Sequence, residues 1–276
     1  MVNMDSSRKT ELQEIARKIR VGIIDAVYSA NSGHPGGSLS IADVLAYLYF
    51  EEMNVDPKNP QWPGRDRLVL SKGHCAPGLY SALAQRGYFP VEDLKTFRKT
   101  SSYLQGHPDM KHTPGVDMTS GSLGQGASTS CGMALANKLD KTSVRVYAIL
   151  GDGETEEGQV WEAAMFANQY HLDNLTVLLD YNKQQIDGPV DSVMSPGDPL
   201  VRWSAFGFDV READGHDVEA IEDALLAARQ VKGKPQLIVM HTTKGKGVSL
   251  VENTAFNHYM TITPEQVQSM LAELSE

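Results

Sequence analysis

The sequence predicts an α/β fold in which a parallel sheet is covered by helices on both faces. From about residue 125 onward, helical and strand patterns alternate along the chain. The predicted strands are short, continuously apolar runs, which is typical of strands buried on both faces of a parallel sheet. The predicted helices between them repeat their apolar residues at helical spacing, as expected for helices that cover such a sheet.

The first predicted element is a long, largely buried helix. Apolar residues recur at helical spacing over 10–30, and the loop Asn31-Ser32-Gly33-His34-Pro35-Gly36-Gly37 is expected to end this helix. Ser40 followed by Asp43 resembles a capping box and predicts the start of a second helix. Prolines at 57, 60 and 63 then predict an irregular connection.

The remaining elements follow in alternation. A short strand at 68–70 is predicted to lead through a loop into a helix around 79–84. Residues 105–126 are rich in glycine and polar residues and are predicted to be irregular. The alternating part comprises helices at about 125–139, 155–169 and 218–230, and strands at 144–150, 175–181 and 236–241.

Composition limits the class of protein. The 276 residues, 41% of them hydrophobic, suit one large domain, which we expect to span 1–276. A formal net charge of −10 argues against nucleic acid or an anionic membrane surface as the main partner. No apolar run approaches the roughly 18 residues of a membrane span, and no signal-peptide pattern is present. Cys75 and Cys131 lack the spacing of a disulfide framework or zinc site, so a reducing cytoplasm is expected.

A short acidic motif, Gly151-Asp152-Gly153, follows the predicted strand 144–150. Ligands of parallel α/β sheets bind at the carboxyl ends of the strands, where a helix N-terminus offers free amides to a phosphate. A carboxylate there would repel a phosphate, which indicates a divalent cation bridging the two. The alternative is that this motif is an ordinary turn at the end of a strand.

Asn182 follows the next predicted strand, so it is expected at the same sheet edge as Asp152. Its neutral amide oxygen is a hard ligand of the kind that magnesium or calcium accepts. The sequence has neither a correctly placed Gly-x-Gly-x-x-Gly nor a Gly-Lys-Ser/Thr motif. A nicotinamide site or a nucleotide P-loop is therefore not predicted.

Together these features resemble the thiamine-diphosphate motif, and the surrounding segments resemble those of the transketolase family. In the family's order they are Ser32-Gly33-His34-Pro35-Gly36, Ser71-Lys72-Gly73-His74, Gly106-His107-Pro108, Gly121-Ser122-Leu123-Gly124-Gln125-Gly126 and Asp180-Tyr181-Asn182-Lys183. The resemblance covers nearly the whole chain but only the N-terminal half of a full-length transketolase. It implies a thiamine-diphosphate-binding fold of the diphosphate-domain type and the N-terminal subunit of a split transketolase of the pentose phosphate pathway.

The resemblance implies a metal and cofactor site. Asp152 and Asn182 would bind the metal (Mg²⁺, or Ca²⁺ or Mn²⁺) through side-chain oxygens, and Gln184 through its main-chain carbonyl. Diphosphate oxygens and water would complete the coordination. The residues along the diphosphate or against the apolar rings of thiamine diphosphate would be His74, Gly121, Ser122, Leu123, Gly153, Ile186 and His258.

The resemblance also implies histidines that handle the sugar. His34, His74 and His107 lie beside glycine or proline in loops, and the matching family residues line the substrate channel. There they assist proton transfer, a task suited to groups that titrate near neutrality. The segment 252–258 keeps the family's spacing to His258, but Asn257 and Tyr259 replace the usual aromatic residue before it and the usual glycine after it.

Several residues keep two interpretations. Glu157 resembles the family residue in the buried network between two cofactor sites, and alternatively is a charge at a helix N-terminus. The loop 242–247 either helps to hold phosphate or is a basic turn. His112, His171 and His216 are interpreted as structural or solvated residues.

The resemblance finally implies a partner chain. In the family, a glutamate of the pyrimidine-binding domain drives deprotonation of the thiazolium carbon, and later domains hold the sugar phosphate. A C-terminal transketolase subunit is therefore expected, in an assembly with two copies of each chain, and the apolar helices at 10–30 and 155–170 are candidates for the interface. The alternatives are another thiamine-diphosphate enzyme half (deoxyxylulose phosphate synthase-like, a 2-oxo acid dehydrogenase alpha subunit, or a ketol transferase for an unusual sugar phosphate) or a non-catalytic scaffold.

Overall fold

The computed structural model describes residues 4–252, 254 and 257–275. Within these residues the helices are α1 (Ser6–Ala30), α2 (Pro35–Ser40), α3 (Ala42–Tyr47), α4 (Ala76–Arg86), α5 (Gln125–Leu139), α6 (Gly158–Gln169), α7 (Val190–Met194), α8 (Pro199–Ala205), α9 (Val218–Arg229) and α10 (Pro264–Glu273). The strands are β1 (Arg67–Leu70), β2 (Val146–Gly151), β3 (Leu175–Tyr181), β4 (Gln184–Gln185), β5 (Gly188–Pro189), β6 (Asp209–Asp214) and β7 (Gln236–His241).

Five strands form one parallel sheet in the order β1-β2-β3-β7-β6. Gly151 lies opposite Asp180, and Tyr181 lies opposite His241, so these strands end almost level with one another. The two-residue strands β4 and β5 form a separate antiparallel pair. Since the sheet strands all run the same way, the loops after β1, β2, β3 and β7 meet at one edge, and this edge positions the site.

Helices cover both faces of the sheet. Ile149 and Leu178 point into a core shared with α1, α3, α4 and α9. Their neighbours Leu150 and Leu179 point the opposite way, into a core shared with α5, α6 and α8. Because successive strand residues face opposite sides, both faces of the central strands are buried, which explains their uninterrupted apolar sequence. The predicted parallel sheet with helices on both faces is confirmed.

Helix α1 is buried against its own chain. Asp5 caps its first turn, and Asn31 ends it in the left-handed conformation with a φ of 49°. Leu12, Ile19 and Ile23 along its apolar stripe are fully buried by neighbouring helices. Core packing within the chain therefore accounts for the apolar periodicity of α1.

The predicted capping box at Ser40 and Asp43 is wrong. Ser40 ends α2, and its Oγ donates to Asp180 Oδ2 at 2.7 Å. Asp43 is buried and accepts hydrogen bonds from Arg20 at 3.1 Å and from His216 at 2.8 Å. Both side chains are used in buried tertiary contacts, so neither is available to cap α3.

Pattern analysis missed the edge strand β6 and the helices α8 and α10. Strand β6 has the sequence Asp-Val-Arg-Glu-Ala-Asp and is only partly buried, because it lies at the edge of the sheet. Charged edge strands lack the apolar signal of central ones. Among the described helices, none combines the length and apolar character that crossing a membrane requires.

Candidate active site

The carboxyl edge of the sheet borders a cavity of about 320 Å³. The loops after β1, β2, β3 and β7 contribute to its lining, together with the start of α2 and the segment around residue 258. The predicted site residues that line it are His34, His74, Gly121, Leu123, Asp152, Gly153, Asn182, Gln184, Ile186 and His258. The structure thus brings most of the predicted residues to one place, whereas Ser122, His107 and Glu157 lie outside this lining.

The three predicted metal ligands lie together in this cavity. Asp152 is 3% exposed, and its carboxylate accepts from Gly153 N at 2.8 Å and from Lys183 N. Asn182 Oδ1 accepts from Gln184 N at 3.0 Å. One carboxylate, one amide and one main-chain carbonyl form an oxygen-only donor set, which suits a hard divalent cation such as Mg²⁺. The residues present fit such an ion.

Electrostatics at Asp152 also favour a cation. Burial, and then the nearby Asp180 carboxylate, raises the pKa of Asp152 to about 7. A divalent cation at this position would favour the ionised carboxylate and offset that cost. The described residues contain no cluster of three or more His, Cys, Asp or Glu side chains arranged for a metal. The candidate metal site is the mixed set of Asp152, Asn182 and the Gln184 carbonyl, which all line the cavity.

The predicted diphosphate loop 121–126 is held tightly against the loop after β1. Gly124 precedes α5 in the left-handed conformation, with a φ of 81°. A Cβ on Gly126 would lie 2.6 Å from Ser71 Cα, so this position has no room for a larger residue. Glycine thereby allows the backbone of this loop to approach both the sheet edge and the cavity.

A buried glutamate that sequence analysis missed joins three loops of the site. Glu154 is 3% exposed and accepts from Gly124 N at 2.8 Å, Gly151 N at 3.1 Å and the Ser71 hydroxyl. Ser71 directly follows β1, Gly124 directly precedes α5, and Gly151 is the last residue of β2. From sequence, Glu154 could not be distinguished from the acidic residues that commonly begin a helix.

A second buried network surrounds Asp180, the residue two positions before Asn182. Lys72 and Asp180 form an ion pair with side chains 3% and 0% exposed. Burial alone would lower the pKa of Lys72, but the charge of Asp180 raises it above its ordinary value. Asp180 also accepts from Asn182 Nδ2 at 2.7 Å, which fixes the orientation of the amide.

Lys244 gives the loop 242–247 a place in the site. It is 2% exposed, lines the cavity, and its Nζ lies 3.2 Å from Gln184 O and 3.3 Å from His258 Nδ1. Burial and the charge of Lys72 lower the pKa of Lys244. Two buried lysines therefore supply positive charge inside an acidic chain, beside the loop residues and histidines that are expected along the diphosphate.

Three of the predicted histidines form a cluster. The ring centroids of His34 and His74 are 5.2 Å apart, those of His34 and His258 are 5.2 Å apart, and those of His74 and His258 are 4.9 Å apart. Backbone pairing holds the cluster together, since Met260 N donates to Gly33 O at 3.0 Å in an isolated antiparallel bridge. The structure therefore places His258 beside the loop of His34.

Titration near neutrality is expected from sequence for His34, His74 and His107; in the chain alone it is wrong for His34 and His74, and burial also lowers the pKa of His107. Burial, followed by neighbouring positive groups, lowers the pKa of His34 and of His258 to about 3 and that of His74 to about 4. All three are consequently neutral at pH 7. A bound anion such as diphosphate would raise these pKa values, because it favours the protonated rings.

The other predicted residues border the cavity or face solvent. His107 lies against the diphosphate loop, with ring carbons 3.3 Å from where a Cβ on Gly121 would sit. Ser122 and Glu157 are exposed, and Glu157 begins α6 without a side-chain cap. Ile186 is 66% exposed although it lines the cavity, which suits a side chain that covers an apolar ligand.

His216, interpreted from sequence as structural, supports the loop that carries Lys244. Its Nδ1 lies 2.8 Å from Asp43 Oδ2, and its Nε2 accepts from Thr243 N at 2.8 Å. Of the segment 252–258, residues 253, 255 and 256 lie outside the described part of the chain. Of the described members 252, 254, 257 and 258, His258 lines the cavity, and Asn257 O accepts from Gly36 N at 3.0 Å.

The family model described as "Transketolase, thiamine diphosphate binding domain" matches residues 11–275. The chain belongs to the transketolase family. The 6-deoxy-6-sulfo-D-fructose transketolase subunit of Clostridium sp. (strain MSTE9) is 48% identical over 98% of both chains. An apulose-4-phosphate transketolase subunit of Phocaeicola vulgatus is 43% identical over 96% of this chain and 94% of that protein.

Solved transketolases share the fold of this transketolase chain. Transketolase from Leishmania mexicana superimposes with a TM-score of 0.91 at 33% identity, over 99% of this chain. The match covers 42% of the Leishmania mexicana chain, so the present chain spans less than half the length of that enzyme. The predicted N-terminal transketolase chain with a thiamine-diphosphate-binding fold is confirmed.

Proposed function

We propose that residues 1–276 form one diphosphate-binding domain, which acts as the N-terminal subunit of a two-chain transketolase in the cytoplasm. The complex transfers a two-carbon ketol unit from a ketose phosphate to an aldose phosphate. One observation carries this proposal: a single cavity contains the oxygen donors for a metal, the loop amides, two lysines and the three clustered histidines. A site for a metal-bound diphosphate next to a polar, neutral histidine cluster suits this reaction.

The proposed roles follow from position. Asp152, Asn182 and the Gln184 carbonyl would hold Mg²⁺. The amides of Gly121 and Leu123, with His74 and His258, would bind the diphosphate, with Ser122 beside them. The Gly153 amide, which donates to Asp152 in the chain alone, would have to turn from that carboxylate to join them. Lys244 lies close enough to Gln184 to neutralise the same diphosphate. Ile186 covers the apolar rings of the cofactor.

Bound thiamine diphosphate supplies a carbon nucleophile that adds to a carbonyl and stores the resulting negative charge. The chain's own contribution is to position sugar hydroxyls and move protons to and from them. In the chain alone His34 and His74 are neutral at pH 7, and a neutral ring offers one donor and one acceptor to hydroxyl groups. His107 extends this polar surface beyond Gly121.

A separate partner chain is proposed to complete the active site. Two relatives that match this chain over nearly their whole length are named subunits of transketolases. Helix α6 exposes Met165 (56%) and is followed by Tyr170 (48%), which makes it the proposed contact surface. The exposed Glu157 at the start of α6 would then join the network between two cofactor sites, in an assembly of two copies of each chain.

The substrate class is proposed to be an anionic ketose. The named substrates of the relatives are a sulfonated fructose and a phosphorylated apulose. The histidine cluster favours ketol transfer over the reactions of other thiamine-diphosphate enzyme halves, since it offers several hydroxyl partners along the sugar. Intact Asp152, Asn182 and His34 argue against a non-catalytic scaffold.

Reconstitution with the partner chain tests this function. The two purified chains, thiamine diphosphate and Mg²⁺ are mixed with a donor panel of fructose 6-phosphate, xylulose 5-phosphate, apulose 4-phosphate and 6-deoxy-6-sulfofructose, each with an aldose phosphate acceptor. We expect ketol transfer with at least one donor and none with either chain alone. Pyruvate decarboxylation without ketol transfer would contradict the proposal.

A further inference from the structure

Three residues outside the cavity lining form a connected group beside the histidines, which we call the outer wall: Ser32, Arg98 and Tyr259. The Tyr259 hydroxyl donates to Ser32 Oγ at 3.2 Å, and Arg98 Nη1 donates to the same oxygen at 2.5 Å. The Arg98 guanidinium carbon lies 6.0 Å from the centroid of the Tyr259 ring. Each member therefore contacts the other two.

The outer wall stands directly against His34. The rings of Tyr259 and His34 meet edge to face, with centroids 5.3 Å apart and an interplanar angle of 69°. The charge of Arg98 contributes to the lowered pKa values of both His34 and His107. His34 lines the cofactor cavity, whereas Arg98 and Tyr259 do not. The wall therefore contacts His34 from outside the cavity lining.

The backbone holds both large side chains of the wall in place. The bridge between Gly33 and Met260 fixes the residue before His34 and the residue after Tyr259. Arg98 adopts a φ of 61°, an uncommon conformation for a residue with a side chain, and its amide donates to Leu104 O at 2.8 Å. Such a conformation persists where the surroundings enforce it, often at functional sites.

Tyr259 remains half exposed despite these contacts, at 51%. An aromatic ring with a polar tip, fixed beside a polar cluster but open to solvent, suits a surface that a polar ligand covers.

Resting on the proposed function, we infer that Tyr259, held by Ser32 and Arg98, is a specificity-determining residue of the sugar channel. Its ring limits the width available to the part of the ketose beyond the transferred ketol unit. The channel therefore favours unbranched anionic ketoses, such as fructose 6-phosphate and its sulfonated analogue, over branched ones such as apulose 4-phosphate. Arg98 and Ser32 are positioning residues, since they act through the Tyr259 ring.

The test measures kcat/KM of the reconstituted pair for fructose 6-phosphate and for apulose 4-phosphate. In Tyr259→Gly and Tyr259→Ala the ratio of branched to unbranched donor should rise by about tenfold or more, the lower end of what one carbon group contributes to discrimination. Tyr259→Phe keeps the ring and should leave the ratio within about threefold of wild type. The Kd for thiamine diphosphate should stay unchanged in all three variants.

Leu250→Gly is the matched control, because Leu250 is a 42% exposed residue close to the same segment. It should change neither the ratio nor the Kd. An active wild-type pair whose ratio is the same in both ring-removing variants would overturn this inference and leave the proposed function intact. Absence of ketol transfer by the wild-type pair with every donor would overturn both.

Discussion

The buried carboxylate of Asp180 determines which atom of Asn182 faces the candidate metal site. It is fully enclosed and accepts hydrogen bonds from the side chains of Lys72, Ser40, Thr242 and Asn182. Because Asn182 donates its nitrogen to Asp180, its oxygen is turned toward Gln184 N and the candidate metal site. Orientation of this kind is how outer-shell groups tune a metal site.

Removing Asp180 should destabilise the chain strongly. Asp180→Ala leaves the buried ammonium of Lys72 unpaired, so we expect the free energy of unfolding to fall by about 3–5 kcal/mol. The double variant Lys72→Met with Asp180→Leu removes both charges and should recover part of that loss, because Ser40, Thr242 and Asn182 still lose their acceptor. Urea unfolding at pH 7 measures both values.

Measuring metal-dependent cofactor binding separates the effect of Asp180 on the orientation of Asn182 from its effect on the stability of the chain. The double variant should still bind thiamine diphosphate and Mg²⁺ about 10- to 100-fold more weakly than wild type, since the Asn182 amide loses its outer-shell partner. Wild-type affinity in the double variant would show that Asp180 does not orient Asn182. A double variant as unstable as Asp180→Ala would show that the unpaired charge is not the cause.

A site residue could be predicted from sequence where the pattern that identifies it lies in the neighbouring residues. Asp152 and Asn182 could be found because each directly follows an apolar strand, and parallel strands bring such positions together. Lys72 and Asp180 both belong to segments that resemble the family, yet their pairing joins residues 108 positions apart. A contact of that range depends on the assembled sheet, and the sequence pattern alone does not define it.

At the scale of elements, Glu154 connects the loops that build the site. Its carboxylate accepts from residues at the end of β1, before α5 and at the end of β2. Three loops that differ in sequence position are thereby fixed relative to one another. Loops held on the ends of rigid strands suit precise ligand binding.

Glu154→Gln should loosen this arrangement. One carboxylate oxygen becomes an amide nitrogen that faces another donor, which leaves buried groups without acceptors and costs about 1–3 kcal/mol of unfolding free energy. Weaker binding of thiamine diphosphate should accompany this loss, measured by calorimetry on the reconstituted pair. The control is Glu156→Gln, since Glu156 is exposed and, among the described residues, its carboxylate accepts a single hydrogen bond, from Gln185 Nε2 at 3.0 Å. Equal effects of the two substitutions would contradict a special role for Glu154.

Elements with strong periodicity were predicted well, and elements that depend on tertiary contacts were not. The predicted bounds of α5 match those observed, because both its N-terminal glycines and its apolar pattern are local signals. The predicted start of α6 was too early, since Gly153–Glu156 forms a separate 3-10 turn. Strand β6 was missed because an edge strand needs no continuous apolar sequence.

At the scale of the whole molecule, the distribution of charge matches a protein that binds an anion internally. The chain carries a formal charge of −10, yet Lys72 and Lys244 are buried beside the candidate metal site. These two positive charges therefore lie at the cavity, where low solvent exposure strengthens their effect. The apolar exposure on α6 lies elsewhere and suits contact with a second chain.

Binding of thiamine diphosphate to the mixed chains tests the central claim most directly. Isothermal titration with and without Mg²⁺ compares the wild type with Asp152→Ala and with Asp191→Ala, a control at an exposed acidic position. We predict one cofactor per copy of this chain, bound only with the metal, with affinity at least about 100-fold lower in Asp152→Ala and unchanged in Asp191→Ala. Equal binding by wild type and Asp152→Ala, or no binding by either, would contradict the assignment of this chain as the diphosphate-holding subunit.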